Sequence, residues 1–323
     1  MKTFMYYLAL ILGAPIALLI LKLKVSYDGG TKFKIPKGAI IISGHKSVKE
    51  AIAIAYLLFF RRLYFLAADW YHGFQIIFKP LMLLLGAVLV DLKGQNFDFI
   101  KKSQTLLNKG KNILVFPEGD YSENKKLFEL GPFKTGYLLM AIESHAPVVP
   151  IMTDFTYGIF KRTRIIVGKP IYPTLNQEQD SRAQLNDINQ EIREKCLHLL
   201  YDLRKEKAKK VKMTYTFKNP LPGDVIRTKV GTYHHYGVYL SDDEVIEFGR
   251  RVNPKDEPVT IHKTSLVTFC NGQIPEVRIV KNTRKKRKIK DIIAYSEEVL
   301  GKTDYSFQNN NCLDLANRLT LKI

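Results

Sequence analysis

Phe4 to Leu21 is an uncharged apolar run, FMYYLALILGAPIALLIL, with Lys2 before it and Lys22 directly after. A helix of about 20 such residues is what a hydrocarbon core accommodates, so the run has to be covered by lipid or by a folded core. A cleaved signal peptide is the competing reading. No small-residue cleavage site follows, because LKLKVSYDGG comes next. The run is therefore expected to be an uncleaved membrane anchor over residues 1–24, and Pro15 inside it suits a kink or a shallow re-entrant insertion. Lys22, Lys24, Lys32, Lys34 and Lys37 follow it, while only Lys2 precedes it. That asymmetry predicts that the body of the chain lies on the cytoplasmic face.

The remaining 300 or so residues are too many for one ordinary domain and predict two. With 46% hydrophobic and 25% charged residues the chain is neither a disordered tail nor a multi-span transporter. Three cysteines, Cys196, Cys270 and Cys312, cannot build a disulfide framework, which points to a reducing compartment. Lys and Arg number 50 against 31 Asp and Glu, a net charge of +19. Such a surface attracts nucleic acid or anionic lipid, and the apolar run favours lipid.

From the anchor to about residue 210, short β-type runs alternate with helical stretches, the pattern of an α/β domain. Strands are predicted at Ala39–Ser43, Leu63–Ala67, Ala87–Asp91, Asn112–Phe116, Val148–Thr153 and Arg164–Val167. Helices are predicted at about 46–60, 70–85, 97–109 and 133–145, with a long amphipathic helix over 180–209 ending in a basic run. That run marks a boundary between a domain of residues 25–210 and a second of residues 211–323. In the second, β-type segments alternate with turn signals and helix returns only at about 290–300 and 312–321, an α+β texture.

Two constellations carry chemistry. In ISGHKSVKEA the five-residue separation of His45 and Glu50 puts side chains about 140° apart on an ideal helix, so His45 has to precede the helix. There an imidazole can serve as general base while Glu50 holds its other nitrogen. In VFPEGDY, Phe116, Pro117, Glu118 and Gly119 open a loop at the carboxyl end of a strand, where α/β sheets place ligands. In the second domain Cys312 follows Asn309–Asn311 and precedes an apolar helical pattern, so its thiol is expected at a helix N-terminus that favours the thiolate. His235 opens the alternating strand HYGVYL; alternation puts its neighbour His234 on the opposite face.

The histidine, four residues, an acid, then Phe-Pro-Glu-Gly, then Phe-Lys-x-Gly at Phe133–Gly136 and Val-Val-Pro-Ile at Val148–Ile151 resemble the PlsC-like lysophosphatidic acid acyltransferases over residues 1–205. The resemblance implies transfer of a fatty acyl group from an acyl-CoA or acyl-carrier-protein thioester to a lysophospholipid-type hydroxyl. It makes His45 the base, Glu50 its partner, and Phe116, Pro117, Glu118, Gly119 and Lys134 the acceptor-binding residues. The chain departs from the family at Gly44, where an Asn is usual, at Glu50, where an Asp is usual, and at Tyr121, where an Arg is usual. Lys93, Lys125 and Lys126 are candidates to supply the missing phosphate-binding charge.

Pro222–Asp224, the His235 strand and the Asn311–Cys312 pair resemble, over residues 215–320, the lecithin retinol acyltransferase-like branch of the NlpC-type, papain-like Cys/His fold. The resemblance implies a Cys312 nucleophile, His235 as its base, and Glu247 as the third polar residue, where that branch often carries a second histidine. An acyl group taken from an ester or thioester would pass to an amine, a hydroxyl or water. A cell-wall type cysteine peptidase or amidase and a non-catalytic lipid-binding scaffold are the alternatives. His72, His145, His262, Cys196 and Cys270 have no companions in the sequence and read as structural. No metal-ligand spacing and no Gly-rich nucleotide loop is present, so neither a metal nor a bound cofactor is expected. Finally, Lys281–Lys290 holds seven basic residues in ten. Arg284, Lys285, Lys286, Arg287 and Lys288 are expected to meet anionic headgroups; nucleic acid is disfavoured because no aromatic-interleaved basic motif accompanies them.

Overall fold

The computed structural model describes residues 2–68, 82–90, 98–119, 128–176, 180–249, 258–307 and 310–323. Tyr121, Lys93, Lys125, Lys126, His72 and most of the helix expected at 70–85 lie outside them. The chain divides into two compact units, Met1–Leu200 and Tyr201–Ile323.

The first unit is built on a seven-stranded sheet of β1 (Lys24–Tyr27), β2 (Ile40–Ile42), β3 (Leu63–Ala68), β4 (Ala87–Val90), β5 (Asn112–Val115), β6 (Val148–Thr153) and β7 (Arg164–Val167). Their order is β1-β7-β6-β2-β5-β3-β4. The four contacts linking β6, β2, β5, β3 and β4 are parallel, and only β6 and β7 run antiparallel. Parallel strands covered on both faces read as unbroken apolar runs. Accordingly III, NILV and VVPIMT in β2, β5 and β6 are buried at every position. Among the described residues the helices are α1 (Lys2–Leu21), α2 (Lys49–Leu57), α3 (Asp98–Asn108), α4 (Gly136–Glu143) and α5 (Ser181–Ala208).

Helix α1 forms as the apolar run predicts, but one stripe of it is packed along its own unit. The Tyr6 hydroxyl accepts from Leu63 N–H, Tyr56 donates to the Leu10 carbonyl at 2.8 Å, and a Cβ at Gly13 would stand 2.9 Å from the Tyr56 oxygen. Ala17 and Leu21 are buried. The carbonyls of Ile20 and Leu21, which a helix end leaves without internal partners, accept from Gly158 and Thr163 N–H. The opposite face, with Phe4, Leu12, Ile16 and Leu18, is about two-thirds exposed.

The second unit carries a six-stranded antiparallel sheet in the order β12-β11-β10-β9-β13-β8. Its strands are β8 (Met213–Phe217), β9 (Asp224–Val230), β10 (Tyr233–Ser241), β11 (Glu244–Gly249), β12 (Thr260–Thr264) and β13 (Glu276–Val280), with α6 (Leu266–Cys270), α7 (Ile289–Val299) and α8 (Cys312–Thr320). The unit begins inside α5, ten residues before residue 211, where the sequence places the start of the second domain. The last turns of α5 belong to it because their side chains are spent there. Arg204 donates to the Tyr295 hydroxyl at 2.6 Å, Lys205 pairs with Asp314 at 3.1 Å, and Ala208 packs with Val280 and Leu321.

The expected headgroup patch is smaller than the sequence suggests. Lys286 is drawn inward to Asp224 at 2.9 Å, and Arg287 lies over the Tyr295 ring and donates to the Arg318 carbonyl. Arg284, Lys285 and Lys288 remain exposed.

Candidate active sites

The first site forms where β2 and β5, neighbouring parallel strands paired at Ile42 and Val115, reach their carboxyl ends. His45 leaves β2 in the loop before α2, as the spacing requires. Its ring stacks on Phe116, centroids 4.1 Å apart and planes 16° from parallel. Gly44 carries no side chain because there is no room: a Cβ would meet Leu130 at 2.6 Å and Phe155 at 3.1 Å.

Glu118 is buried, its Oε1 accepts from the His45 N–H at 2.8 Å, and its Oε2 accepts from the Gly131 N–H at 2.7 Å. It therefore ties the histidine loop to the loop that includes Gly131. The loop that includes Gly131 is fixed in turn by Arg193 of α5, which donates to the carbonyls of Gly131 and Leu130, and by Asn189, which donates to Phe133. Pro117 is buried, and its carbonyl accepts from Lys134 N–H at 2.8 Å. Gly119 has φ +84°, a conformation natural to glycine, and the Lys134 ammonium reaches over it, 2.8 Å from where a Cβ would stand. Among the described residues Lys134 is thus an exposed cation at this loop.

Glu50 is also placed differently from expectation. It is fully buried, and its carboxyl is held by Ser47 N–H at 2.7 Å, Ser47 Oγ at 3.3 Å and the Tyr157 hydroxyl at 2.9 Å. A bond to the His45 ring is not among these. Burial pushes its carboxyl above the usual range, against the opposing hydrogen bonds of Tyr157 and Ser47. Tyr157, itself bonded to Thr153 at 3.0 Å, is a site residue that no motif announces. Its place is set by the turn between β6 and β7, far from Glu50 in sequence.

Replacing Glu118 by alanine should leave two backbone N–H groups without their carboxylate, at a cost of about 3 kcal/mol in all. Thermal unfolding of the Glu118→Ala chain is expected at a clearly lower midpoint, with Glu118→Gln in between. An unchanged midpoint in the alanine variant means that Glu118 does not hold the loop.

The second site gathers three elements of the antiparallel sheet unit. Asn311 caps α8, its side chain accepting from Leu313 and Asp314 N–H, while Asp314 accepts from Asn311 N–H. This reciprocal box is why Asp stands two residues after the cysteine, and it sets Cys312 at the first helical position. His235 of β10 stands close enough to Cys312 for the thiol to raise its imidazole, and it shares a hydrogen bond with the Glu247 carboxylate of β11. The β10–β11 register pairs Gly237 with Glu247, which puts His235 diagonal to Glu247 on the same face. His234 lies on the other face beside Tyr236. Burial opposes a charged His235, yet its interactions with Cys312 and Glu247 outweigh it and raise the imidazole to about 9. Burial likewise opposes the Glu247 charge, and the bonds from His235 and His262 prevail and lower it below the usual carboxylate range.

Phe269 packs against the His235 ring, 5.1 Å between centroids, and Gly237 makes space for it: a Cβ there would meet Phe269 at 2.7 Å. Among the residues read as structural, burial raises the thiols of Cys196 and Cys270, which suits inert core positions. His262 is different, because its ring faces Glu247.

The first unit thus presents an α/β sheet with a histidine loop at its carboxyl edge, and the second a sheet–helix unit with a Cys/His/acid cluster. Residues 24–154 match the Acyltransferase family model and residues 218–321 match the Lecithin retinol acyltransferase model, so the chain carries one domain of each family in tandem. It is 36% identical over 85 residues to the chloroplastic 1-acyl-sn-glycerol-3-phosphate acyltransferase of Brassica napus, covering 23% of this chain and 24% of that protein. A 1-acyl-sn-glycerol-3-phosphate acyltransferase of Limnanthes douglasii is 26% identical over 89 residues, 26% of this chain and 31% of that one. The chain thus spans about a quarter to a third of the length of these curated relatives. Among solved structures it is similar to the 1-acyl-sn-glycerophosphate acyltransferase PlsC of Thermotoga maritima, with a TM-score of 0.46 at 16% identity, over 65% of this chain and 83% of that one.

Proposed function

We propose that this protein is a membrane-bound lipid acyltransferase with two acyl-handling sites. The convergence of Cys312, His235 and Glu247 from a helix N-terminus and two adjacent strands is the observation that carries the reading, because none of the three has a structural reason to share one buried cluster. At the first site the His45 imidazole takes the proton of a lysophospholipid-type hydroxyl as its oxygen attacks the carbonyl of an acyl-CoA or acyl-carrier-protein thioester, and the donor thiolate leaves. Phe116 and Glu118 hold His45 in place, Glu50 and Tyr157 brace the turn that follows it, and Lys134 offers a cation to the acceptor headgroup.

At the second site the Cys312 sulfur attacks an ester or thioester carbonyl, and the leaving oxygen or sulfur takes the proton of the His235 imidazolium. His235 then removes a proton from an amine, hydroxyl or water that attacks the acyl-enzyme and frees the sulfur. A cysteine at a helix N-terminus facing a strand histidine is the papain-like arrangement, which supports that fold for this unit.

The same reading places α1 on one leaflet instead of across the bilayer. A spanning helix needs lipid around it, whereas one stripe of α1, through Tyr6, Ala17 and Leu21, is packed on the unit it belongs to and the rest faces outward. The exposed face of α1, with Ile159 and Phe160 beside its end and Lys161 and Arg162 next to them, is suited to an anionic cytoplasmic surface. The lysines that follow α1 support the cytoplasmic side.

The test is reconstitution of the full chain with anionic vesicles, lysophospholipid and either acyl-CoA or acyl-carrier-protein thioester, followed by lipid mass spectrometry. Diacyl product and retention in the membrane pellet at high salt are expected. A reporter fused after Ile323 should read as cytoplasmic. Vesicle-free protein in the supernatant, or a reporter on the far side, contradicts the membrane part, and absence of any acyl product contradicts the catalytic part.

A further inference from the structure

Glu247 stands between two imidazoles. His235 occupies one of its oxygens, and on the other side His262 Nε2 lies 3.5 Å from Oε1. The β11–β12 register pairs Glu247 directly with His262, so the two side chains rise from the same face of the sheet. His262 is buried at 6% exposure, and its Nδ1 is 3.2 Å from the Thr260 carbonyl oxygen. A carbonyl oxygen only accepts, so Nδ1 carries a proton there; a carboxylate oxygen also only accepts, so Nε2 facing it calls for a second proton. An imidazolium meets both demands, and either neutral tautomer turns a lone pair onto an oxygen.

The sheet is also shaped for this ring. Gly249, two residues beyond Glu247 on the same strand face, leaves a space in which a Cβ would lie 2.6 Å from His262 Cε1 and 3.6 Å from Glu247 Cδ. Any other residue at 249 would force the ring or the strand to shift.

We infer that His262 is a positioning residue of the Cys312 site, an imidazolium that holds the Glu247 carboxylate ionised and aimed at His235. The inference rests on the reading of Cys312 as a nucleophile. Charges then alternate along the row His235, Glu247, His262. The titratable groups facing Glu247 among the described residues are His235 from β10 and His262 from β12; Cys312 of α8 lies beyond His235, and Tyr305 interacts with Cys312. Without the outer cation Glu247 accepts a proton more readily as the pH falls, and His235 loses the acceptor that orients it.

Two measurements on the full chain test this. The first is the ring 15N spectrum at pH 7 of histidine-labelled wild-type protein, with the His262 signals assigned by their loss in His262→Gln. Two protonated nitrogens are expected, and a neutral ring overturns the inference whether or not Cys312 reacts. The second is the rate of iodoacetamide alkylation at Cys312, read by peptide mass spectrometry from pH 6 to 8.5. His262→Gln should slow it about tenfold at pH 6 and much less at pH 8.5, because a charge of this kind shifts the acid limb by about one pH unit. A fall by one constant factor at every pH, or no fall, overturns it. Should His262→Gln fail to fold, Gly249→Ala crowds the ring and is expected to show the same acid-limb shift; an unchanged limb there is decisive against it. Slow alkylation of Cys312 in the wild type at every pH, with His262 doubly protonated, would instead sink the nucleophile reading.

Discussion

Cys312→Ser should leave the second site without any covalent acyl intermediate. Incubated with phospholipid or an acyl thioester, the wild-type chain is expected to gain one acyl mass on the peptide that contains Cys312, removable by hydroxylamine, and the serine variant none. A hydroxyl at a helix N-terminus stays protonated where a thiol ionises, so the dipole and the imidazole that activate sulfur do little for oxygen. His235→Ala should slow labelling strongly, since it removes both the proton donor to the leaving group and the link to Glu247. His234→Ala, on the other face, should change little. The pH profile follows from His235, whose imidazole is raised to about 9. The proton is held through neutrality and lost as pH rises through about 9, so labelling from esters should decline above that value. The fold stability owed to this charge is likewise fully present below the ordinary histidine value of 6.5 and disappears through the same window. Labelling of the serine variant, or indifference to both histidines, would return the unit to a binding role.

At the first site His45→Ala should reduce acyl transfer from thioester to lysophospholipid by about 10²–10⁴-fold, the range for loss of a general base. The measurement belongs in a Cys312→Ser background, so that acyl groups passing through the second site do not mask it. Thermal unfolding should move little, because His45 is half-buried and its structural bond to Glu118 comes from the backbone N–H, which alanine keeps. Undiminished transfer removes His45 from the chemistry, and with it the assignment of the PlsC-like site.

Much of this architecture is legible from the residues. Val148–Thr153 and Arg164–Val167 are strands with the bounds that their β-branched runs suggest, and the helix expected at 180–209 is observed as Ser181–Ala208. Such elements are readable because their periodicity is a local property. The position of His45 ahead of α2 follows from helical geometry alone, and the placement of Cys312 follows from the Asn that caps α8. Motifs name residues, however, and not their partners. Glu118 belongs to the most recognisable motif in the chain, and nothing in Phe-Pro-Glu-Gly says that both of its oxygens are consumed by backbone N–H groups 73 residues upstream and 13 downstream.

Sequence alone determined the apolar N-terminal helix, the strands of the first sheet except β1, and the elements that bear His45, His235 and Cys312. These depend on hydrophobic period, turn chemistry and caps, all of which act over a few residues. Tertiary structure alone decided that Glu50 is held by Tyr157 and not by His45, that α1 lies along its domain, that Lys286 and Arg287 turn inward, and that His262 faces Glu247. Each of these is a contact between side chains distant in the chain. Which distant groups meet is set by sheet order, strand register and the space left by a neighbouring glycine, and no local pattern encodes those.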